Sequence, residues 1–457
     1  MIHAGHRGAR WLDLALLCAA AACSAQDAPV PDRGVLRQPS GLAVTPDAGT
    51  LLVTNGNWDL REASGTLLLV DLVAVDGALA DPGGASSARA CRRDVLPGDA
   101  LSCRVHEFID PERTAVLGDG VGNIAVDRPA GSEGPARLLV PVRSPASVVW
   151  LDLVGGARLS CGQDDDGRCD ATHRIVESPL DPDIALPNEP ARVSVGDVSG
   201  RFAYVPHLLG GALSLIALDG EAGPELADVE GEFYREDLFD DDELSGGFAV
   251  AQRPCDPEAA PEISRDCTRP VLYSTHRYFP GLRQFSVAAG VDRVLGGDEV
   301  VLPGVNVTAV QGRPFMADVA FEDDTGESLL AVVTTPPALT RLQTSLDEDG
   351  VPLDRVTGSV PLCADPNAMA LYAPADREPL ALVACRGEAA VAVVGLQSFR
   401  LLRIVPVGEG PSEVVVDESR VAAWVANTEE DTVSLIGLDP GQPDYLTERA
   451  RLTTRRR

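Results

Sequence analysis

The sequence predicts an all-β fold, a closed ring of short antiparallel sheets made from one repeated unit, on three observations. Residues 39–72, PSGLAVTPDAGTLLVTNGNWDLREASGTLLLVDL, hold three apolar runs at 42–45, 51–54 and 66–71, separated by the turn Pro46-Asp47-Ala48-Gly49 and a polar loop, the pattern of an antiparallel meander. Such a unit leaves both apolar faces bare, so it must recur and stack against its copies. The composition agrees. Of 457 residues, 45% are hydrophobic but only 4% aromatic, with Val, Leu and Ala dominant, and no long window after residue 30 has helical periodicity, which points to an aliphatic core built from strands.

At the N-terminus His3, His6, Arg7 and Arg10 precede an apolar run at 12–22, broken by Asp13, and then Cys23 after three alanines. The run is far below the ~20 residues that cross a bilayer, so the layout is that of a secretion signal. Ala20-Ala21-Ala22-Cys23 resembles a lipobox, which implies lipidation of Cys23. The alternative is cleavage after an Ala-x-Ala site with Cys23 incidental. In Gram-negative lipoproteins a residue such as Ser24 after the Cys implies the outer membrane, facing the periplasm or the surface. The expected organisation is a signal peptide at 1–22, a tether at 23–34, one domain at 35–449 and a mobile basic tail at 450–457.

Beyond Cys18 and Cys23, eight cysteines fall into four close pairs: Cys91 with Cys103, Cys161 with Cys169, Cys255 with Cys267, and Cys363 with Cys385. Even, local pairing is what an oxidising compartment produces, and each short bridge is worth about 3 kcal/mol in the chain-entropy picture. Zinc would want Cys-x-x-Cys or His spacing, which is absent. The formal charge of −31, from 69 acidic and 38 basic residues, repels nucleic acid. Every one of those basic residues is Arg.

The lead Pro39-Ser40-Gly41-Leu42-Ala43-Val44-Thr45-Pro46-Asp47-Ala48-Gly49 and the strand Leu51-Leu52-Val53-Thr54-Asn55 resemble the YVTN-type repeat of β-propellers. By pattern and turn chemistry the lead strand and its partner recur at 41–44 with 51–54, 123–127 with 137–141, 191–195 with 202–205, 247–251 with 270–274, 318–322 with 328–334, 368–372 with 380–385, and 413–417 with 421–427. The expectation is a β-propeller of seven four-stranded blades, with six or eight as the alternatives, since radial closure protects sheet edges. Spacing between leads is irregular, which insertions in surface loops allow. The last outer strand comes either from 445–452 or from the chain at 34–36. In this topology Cys363 and Cys385 lie side by side at the upper face, and the other cysteine pairs lie in lower-face hairpins or insertions.

The resemblance implies that loops at the upper face form the ligand site. The strand-end positions matching Asn55 are Arg143, His207, His276 with Arg277, Thr335, Arg386 and Asn427, an expected ring able to receive a carboxylate, a phosphate or an acidic peptide. A water-filled channel with polar rims explains the same residues equally well. Asp164-Asp165-Asp166-Gly167, between Cys161 and Cys169, resembles a short calcium loop without EF-hand spacing, and no other cofactor is expected. No Gly-x-Ser-x-Gly elbow, His-Glu-x-x-His, P-loop or dinucleotide fingerprint is present. The leading expectation is a non-enzymatic, monomeric envelope lipoprotein, a binding scaffold for a protein, peptide or small anion, held to the membrane by its anchor alone. The alternatives are a periplasmic propeller enzyme, lactonase-like or cofactor-dependent, working through the Arg/His face, and a structural envelope component.

Overall fold

The computed structural model describes residues 28–82, 90–93, 100–128, 135–196, 201–209, 211–220, 222–230, 246–254, 271–275, 281–288, 293–295, 299–301, 316–347 and 352–454. Their strands form antiparallel sheets that follow one another in chain order. The first sheet contains Pro39–Val44, Thr50–Asn55, Thr66–Asp71 and Ala115–Val116. In the second, Asp119–Val121 and Ala125–Asp127 both pair with Ala136–Ser144, followed by Ala146–Val154, which is flanked by Arg158–Ser160 and Arg174–Ile175. Ser194–Gly196, Phe202–Pro206, Leu213–Ala217 and Glu225–Glu230 make the third. The fourth contains Val250–Gln252, Val271–Thr275 and Gly281–Ala288, then Arg293–Leu295 and Glu299–Val301.

The fifth sheet is Met316–Phe321, Ser328–Thr334, Pro337–Gln343 and Arg355–Pro361, and the sixth is Pro366–Tyr372, Leu380–Cys385, Ala390–Gly395 and Arg400–Pro406. The seventh runs Pro411–Asp417, Ala422–Asn427, Thr432–Gly437 and Glu448–Thr453. Six of these sheets begin with a single innermost strand, and they give the chain a six-blade β-propeller arrangement. The second sheet departs from that form, because its innermost position is divided between Asp119–Val121 and Ala125–Asp127. Seven equal four-stranded blades is therefore not the observed arrangement. The division coincides with the seam to the first sheet, where Ser40 Oγ donates to Val121 O at 2.6 Å and Thr54 Oγ1 donates to Gly122 O at 2.7 Å. A Cβ on Gly41 would lie 2.5 Å from Gly122 O, so this approach needs glycine.

Second strands are sandwiched between neighbouring sheets, and every residue of Thr50–Asn55, Leu380–Cys385 and Ala422–Asn427 is buried. That explains why they read as unbroken apolar runs rather than alternating ones. The core is a series of such interfaces. Leu42, Val53 and Leu68 pack with Trp424, Leu435 and Leu452 between the first and seventh sheets, and Leu382 and Val393 pack with Val425 and Ile436 between the sixth and seventh.

The outer strand of the seventh sheet is Glu448–Thr453, from the C-terminal end of the chain. Residues 34–36 do not join the sheet, but Leu36 N donates to Thr454 Oγ1 at 2.8 Å. The sheet then continues with a piece of the first blade's insertion: Leu101–Arg104 lies parallel to Glu448–Thr453, and Cys91–Arg92 pairs with Leu101–Arg104. The same insertion holds the one α-helix among the described residues, Leu72–Ala80, capped by Asp71, which accepts from Ala74 N at 3.0 Å.

Disulfides join Cys91 to Cys103, Cys161 to Cys169 and Cys363 to Cys385. Cys255 and Cys267 lie outside the described residues, as does Cys23; of the tail expected at 450–457, residues 450–453 are not a tail but part of the strand Glu448–Thr453, paired with Thr432–Gly437, and 455–457 lie outside the described residues. Cys385 pairs with Pro366 where the innermost strand begins, so its bridge is at the upper face. The Cys161–Cys169 hairpin is not at the lower face; it docks on the outer edge of the first sheet, where Val116 N donates to Gly167 O at 2.8 Å. Replacing Cys91 and Cys103 together by Ser, across a sequence separation of 12, is expected to lower stability by about 3 kcal/mol. Thermal denaturation without reductant measures the fall; an unchanged midpoint would show that this bridge does not help to hold Leu101–Arg104 against the seventh sheet.

Candidate functional site

The innermost strands share a local irregularity that aims side chains at the axis. The register with the second strand shifts between Pro39 and Gly41, Met316 and Asp318, Pro366 and Ala368, and Pro411 and Glu413. The extra residues are Ser40, Ala317, Asn367 and Ser412, each a β-bulge that redirects its neighbours. In the third sheet Pro190 bridges His207 in the same place, two residues before Arg192. Gly41, Arg192, Asp318, Ala368 and Glu413 are thus equivalent positions of five sheets.

Three of these meet across the axis. Arg192 Nη1 lies 3.2 Å from Asp318 Oδ2, and Arg192 Nη2 donates to Glu413 Oε2. Asp318 also accepts from Met369 N at 2.7 Å and Val319 N at 2.9 Å. Side-chain exposures are 11% for Arg192, 12% for Asp318 and 9% for Glu413. Burial alone would lower the Arg192 pKa, but the two carboxylates outweigh it and hold the guanidinium charged. Burial pushes both carboxyl groups up, against the pull of Arg192. One guanidinium shared by two buried carboxylates ties the third, fifth and seventh sheets together, and removing one member leaves the others uncompensated.

Above this cluster a cavity of about 380 Å3 opens at the upper face. The innermost strands and their lead-ins supply Ser40, Asn123, Arg192, Asn367, Ser412 and Glu413, and the surrounding loops and strand ends supply Trp58, Arg143, Phe248, Arg386, Thr428 and Glu429. The Arg143 guanidinium lies over the Trp58 ring, 4.6 Å from its centroid, and 3.3 Å from Glu189 Oε2. Arg386 bonds Glu429 Oε1 at 2.9 Å and is half exposed. Asn123 is committed to the backbone of Val193 through both ends of its amide. Asn367 Oδ1 is a buried acceptor with no partner, on the cavity wall. The wall therefore offers paired cations, an aromatic face and an open amide oxygen, a set suited to a small polar ligand.

Of the expected ring, Arg143 and Arg386 come together at this cavity. Asn55 turns inward, donating to Val35 O at 2.9 Å and Thr66 Oγ1 at 3.0 Å and accepting from Arg37 N at 2.9 Å. Asn427 is buried and donates to Thr432 Oγ1 at 3.0 Å and Ser434 Oγ at 2.8 Å. His207 is fully buried, with Nδ1 3.1 Å from Asn188 O and Nε2 2.8 Å from Ser214 Oγ. Because a carbonyl only accepts, Nδ1 donates and Nε2 accepts from Ser214. Burial holds its pKa down to about 4. Thr335 is half-buried in the turn after Ser328–Thr334, and His276 and Arg277 lie outside the described residues. Asp164, Asp165 and Asp166 are exposed, and Asp164 Oδ1 accepts from Asp166 N at 3.0 Å and Arg168 N at 2.9 Å. No group of three or more metal-ligating side chains occurs among the described residues.

Sequence reasoning missed Ser40, Arg192, Asn367, Ser412 and Glu413 as site residues. The signal was present: Pro39-Ser40, Pro366-Asn367 and Pro411-Ser412 repeat a Pro followed by a small polar residue.

No protein-family model matches the chain, and no curated protein does. Solved structures match in fold. Hydrazine synthase from Kuenenia stuttgartiensis superposes with a TM-score of 0.53 at 15% identity, covering 88% of this chain and 96% of that one. A protein from Lactobacillus plantarum gives 0.49 at 12% identity, covering 85% and 94%, and virginiamycin B lyase from Staphylococcus aureus gives 0.47 at 10%, covering 87% and 93%. At such identities the likeness is one of fold alone, and the fold class is the β-propeller.

Arg192→Met is expected to cost about 3–5 kcal/mol, because it strands two buried carboxylates; a chemical denaturation midpoint equal to wild type would remove the cluster from the framework. His207 stays neutral in the fold while the unfolded chain takes up a proton below its ordinary pKa of about 6.5. Its contribution is therefore complete above that pH and declines as pH falls towards about 4, by an amount on the order of 3 kcal/mol. His207→Gln should flatten that part of the melting-temperature profile, and an unaltered slope would assign it to other groups.

Proposed function

We propose that the chain is an exported, non-enzymatic binding protein of the bacterial cell envelope, built on YVTN-type repeats and anchored through Cys23, whose upper cavity holds a small anionic ligand or the acidic side chain of a peptide. In this reading the interrupted second sheet serves as a seventh blade. The observation that carries the reading is the cavity of about 380 Å3, with Arg143 and Arg386 on its wall and the unpartnered Asn367 amide oxygen beside them. These two arginines are held by carboxylates now, and an incoming carboxylate or phosphate exchanges one acidic partner for another while Asn367 accepts a hydrogen bond from a ligand hydroxyl or amide. Three disulfides support an oxidising compartment. No helix among the described residues is long and apolar enough to cross a membrane.

The test is a thermal-shift and calorimetric screen of the protein lacking residues 1–23 against small carboxylates, hydroxy acids, phosphate esters and acidic peptides. Ligand at ~100 times its dissociation constant adds about 2.7 kcal/mol of stability. Arg386→Ala and Asn367→Ala should each abolish most of that shift while leaving the unliganded fold intact by circular dichroism. Turnover of a bound compound would replace the binding reading with an enzymatic one. A ligand whose shift survives both substitutions would place its site elsewhere.

A further inference from the structure

A second group of arginines differs from every cation described so far. Arg143, Arg192, Arg201, Arg420 and Arg451 all face a carboxylate. Arg33, Arg168 and Arg174 form no ion pair with any described residue, although the chain carries a net charge of −31. They come from three separate segments: the stretch leading into the first sheet, the Cys161–Cys169 hairpin, and the outermost strand of the second sheet. The fold brings them to one place, the outer edge of the first sheet around Val116 and Leu117.

The contacts define that place. The hairpin is laid along Val116: Val116 N donates to Gly167 O at 2.8 Å and Cys169 N donates to Val116 O at 3.3 Å, so Arg168 stands opposite Val116. Arg174 Nη2 donates to Leu117 O at 2.8 Å, the next residue along. The Arg33 guanidinium lies on the peptide of Gly167, where an added Cβ would meet Nη1 at 2.8 Å and Cζ at 2.9 Å. Gly167 has φ +76, so its own conformation also calls for glycine. Arg33 is itself positioned by its backbone, whose carbonyl accepts from Thr114 Oγ1 at 2.9 Å.

Of the acidic groups nearby, Asp119 lies within electrostatic reach of Arg168 without forming an ion pair with it. Asp119 accepts from Asn57 Nδ2 at 2.6 Å, and Asp164 turns one oxygen onto the backbone N–H groups of residues 166 and 168. Burial and the neighbouring charge of Arg168 both lower the Arg174 pKa, which an anion between them would relieve. Three guanidinium forks converging from three segments suit a tetrahedral oxyanion, which offers several acceptors in different directions.

We propose that Arg33, Arg168 and Arg174 form a binding site for a phosphate group, separate from the upper cavity. The group belongs either to a free phosphate or phosphate monoester, or to a lipid headgroup. The second source rests on the proposed lipid anchor, because Cys23 is ten residues before Arg33 in the sequence, and a tether of that length reaches at most ~35 Å.

The experiment uses the full chain from residue 24 onward, with inorganic phosphate as the probe and chloride at matched ionic strength as the reference. Phosphate should raise the melting temperature beyond chloride. Arg168→Gln and Arg174→Gln should each weaken phosphate binding by about tenfold or more, while Arg403→Gln, on the exposed outer strand of the sixth sheet, leaves it unchanged. Phosphate binding that survives both Arg168→Gln and Arg174→Gln would overturn the proposal, its loss in Arg386→Gln then assigning the phosphate to the upper cavity, as would equal shifts in phosphate and chloride. Because both glutamine variants sit at the surface edge, unchanged circular dichroism confirms that the comparison is between folded proteins. Co-sedimentation with phosphatidylglycerol vesicles separates the sources: vesicle binding displaced by phosphate identifies a headgroup site, and phosphate binding without vesicle binding identifies a soluble ligand.

Discussion

Everything in this fold depends on the fact that each sheet has two apolar faces and no layer of helices to cover either. A strand such as Leu380–Cys385, buried at every residue, has nothing to rest on unless a sheet lies on each side. Hydrophobic burial of that kind is satisfied for all sheets at once only when the series closes into a ring. The interface between the first and seventh sheets, with Trp424 fully buried against Leu42 and Val53, is therefore the contact on which the rest relies. It joins residues almost four hundred positions apart in the sequence.

The same constraint governs where polar groups can go. Side chains at the ends of second strands lie between sheets, so Asn55, His207 and Asn427 spend their hydrogen-bonding capacity on neighbouring backbone and hydroxyl groups. The axis is reached instead by the innermost strand, and only because a bulge after its first residue turns the chain. Arg192, Asp318 and Glu413 occupy one structural position in three sheets and differ in charge, so a repeat that is nearly symmetrical in backbone is made asymmetrical at its centre.

The strands were legible in the sequence wherever an apolar run met a Pro-Asp or Gly turn, as at residues 42–54 and 413–427, since such runs have one physical explanation. The paired cysteines at 91 and 103, 161 and 169, and 363 and 385 were legible from proximity alone. What could not be read were contacts between distant segments of two to four residues. Leu101–Arg104 has no periodicity that marks it as a strand, and nothing local says that it lies beside Glu448–Thr453. Arg192 looked like an ordinary lead-strand residue, because its partners Asp318 and Glu413 are more than a hundred positions away. Arg143 and Arg386 of the expected ring do reach the cavity, whereas Asn55, His207 and Asn427 turn between sheets, for the simple reason that a strand end is visible in sequence and a bulge is not.

The parallel strand Leu101–Arg104 has a further consequence for how the molecule comes into being. It is made early, as an excursion from the first sheet, but its resting place against Glu448–Thr453 does not exist until synthesis has passed residue 453. The edge it covers is the last to appear. The excursion thus waits while more than three hundred residues are made and then lies across the seam from outside. Contacts of such sequence separation form slowly, and a chain halted before residue 448 has an open seventh sheet and an unclaimed segment searching for it.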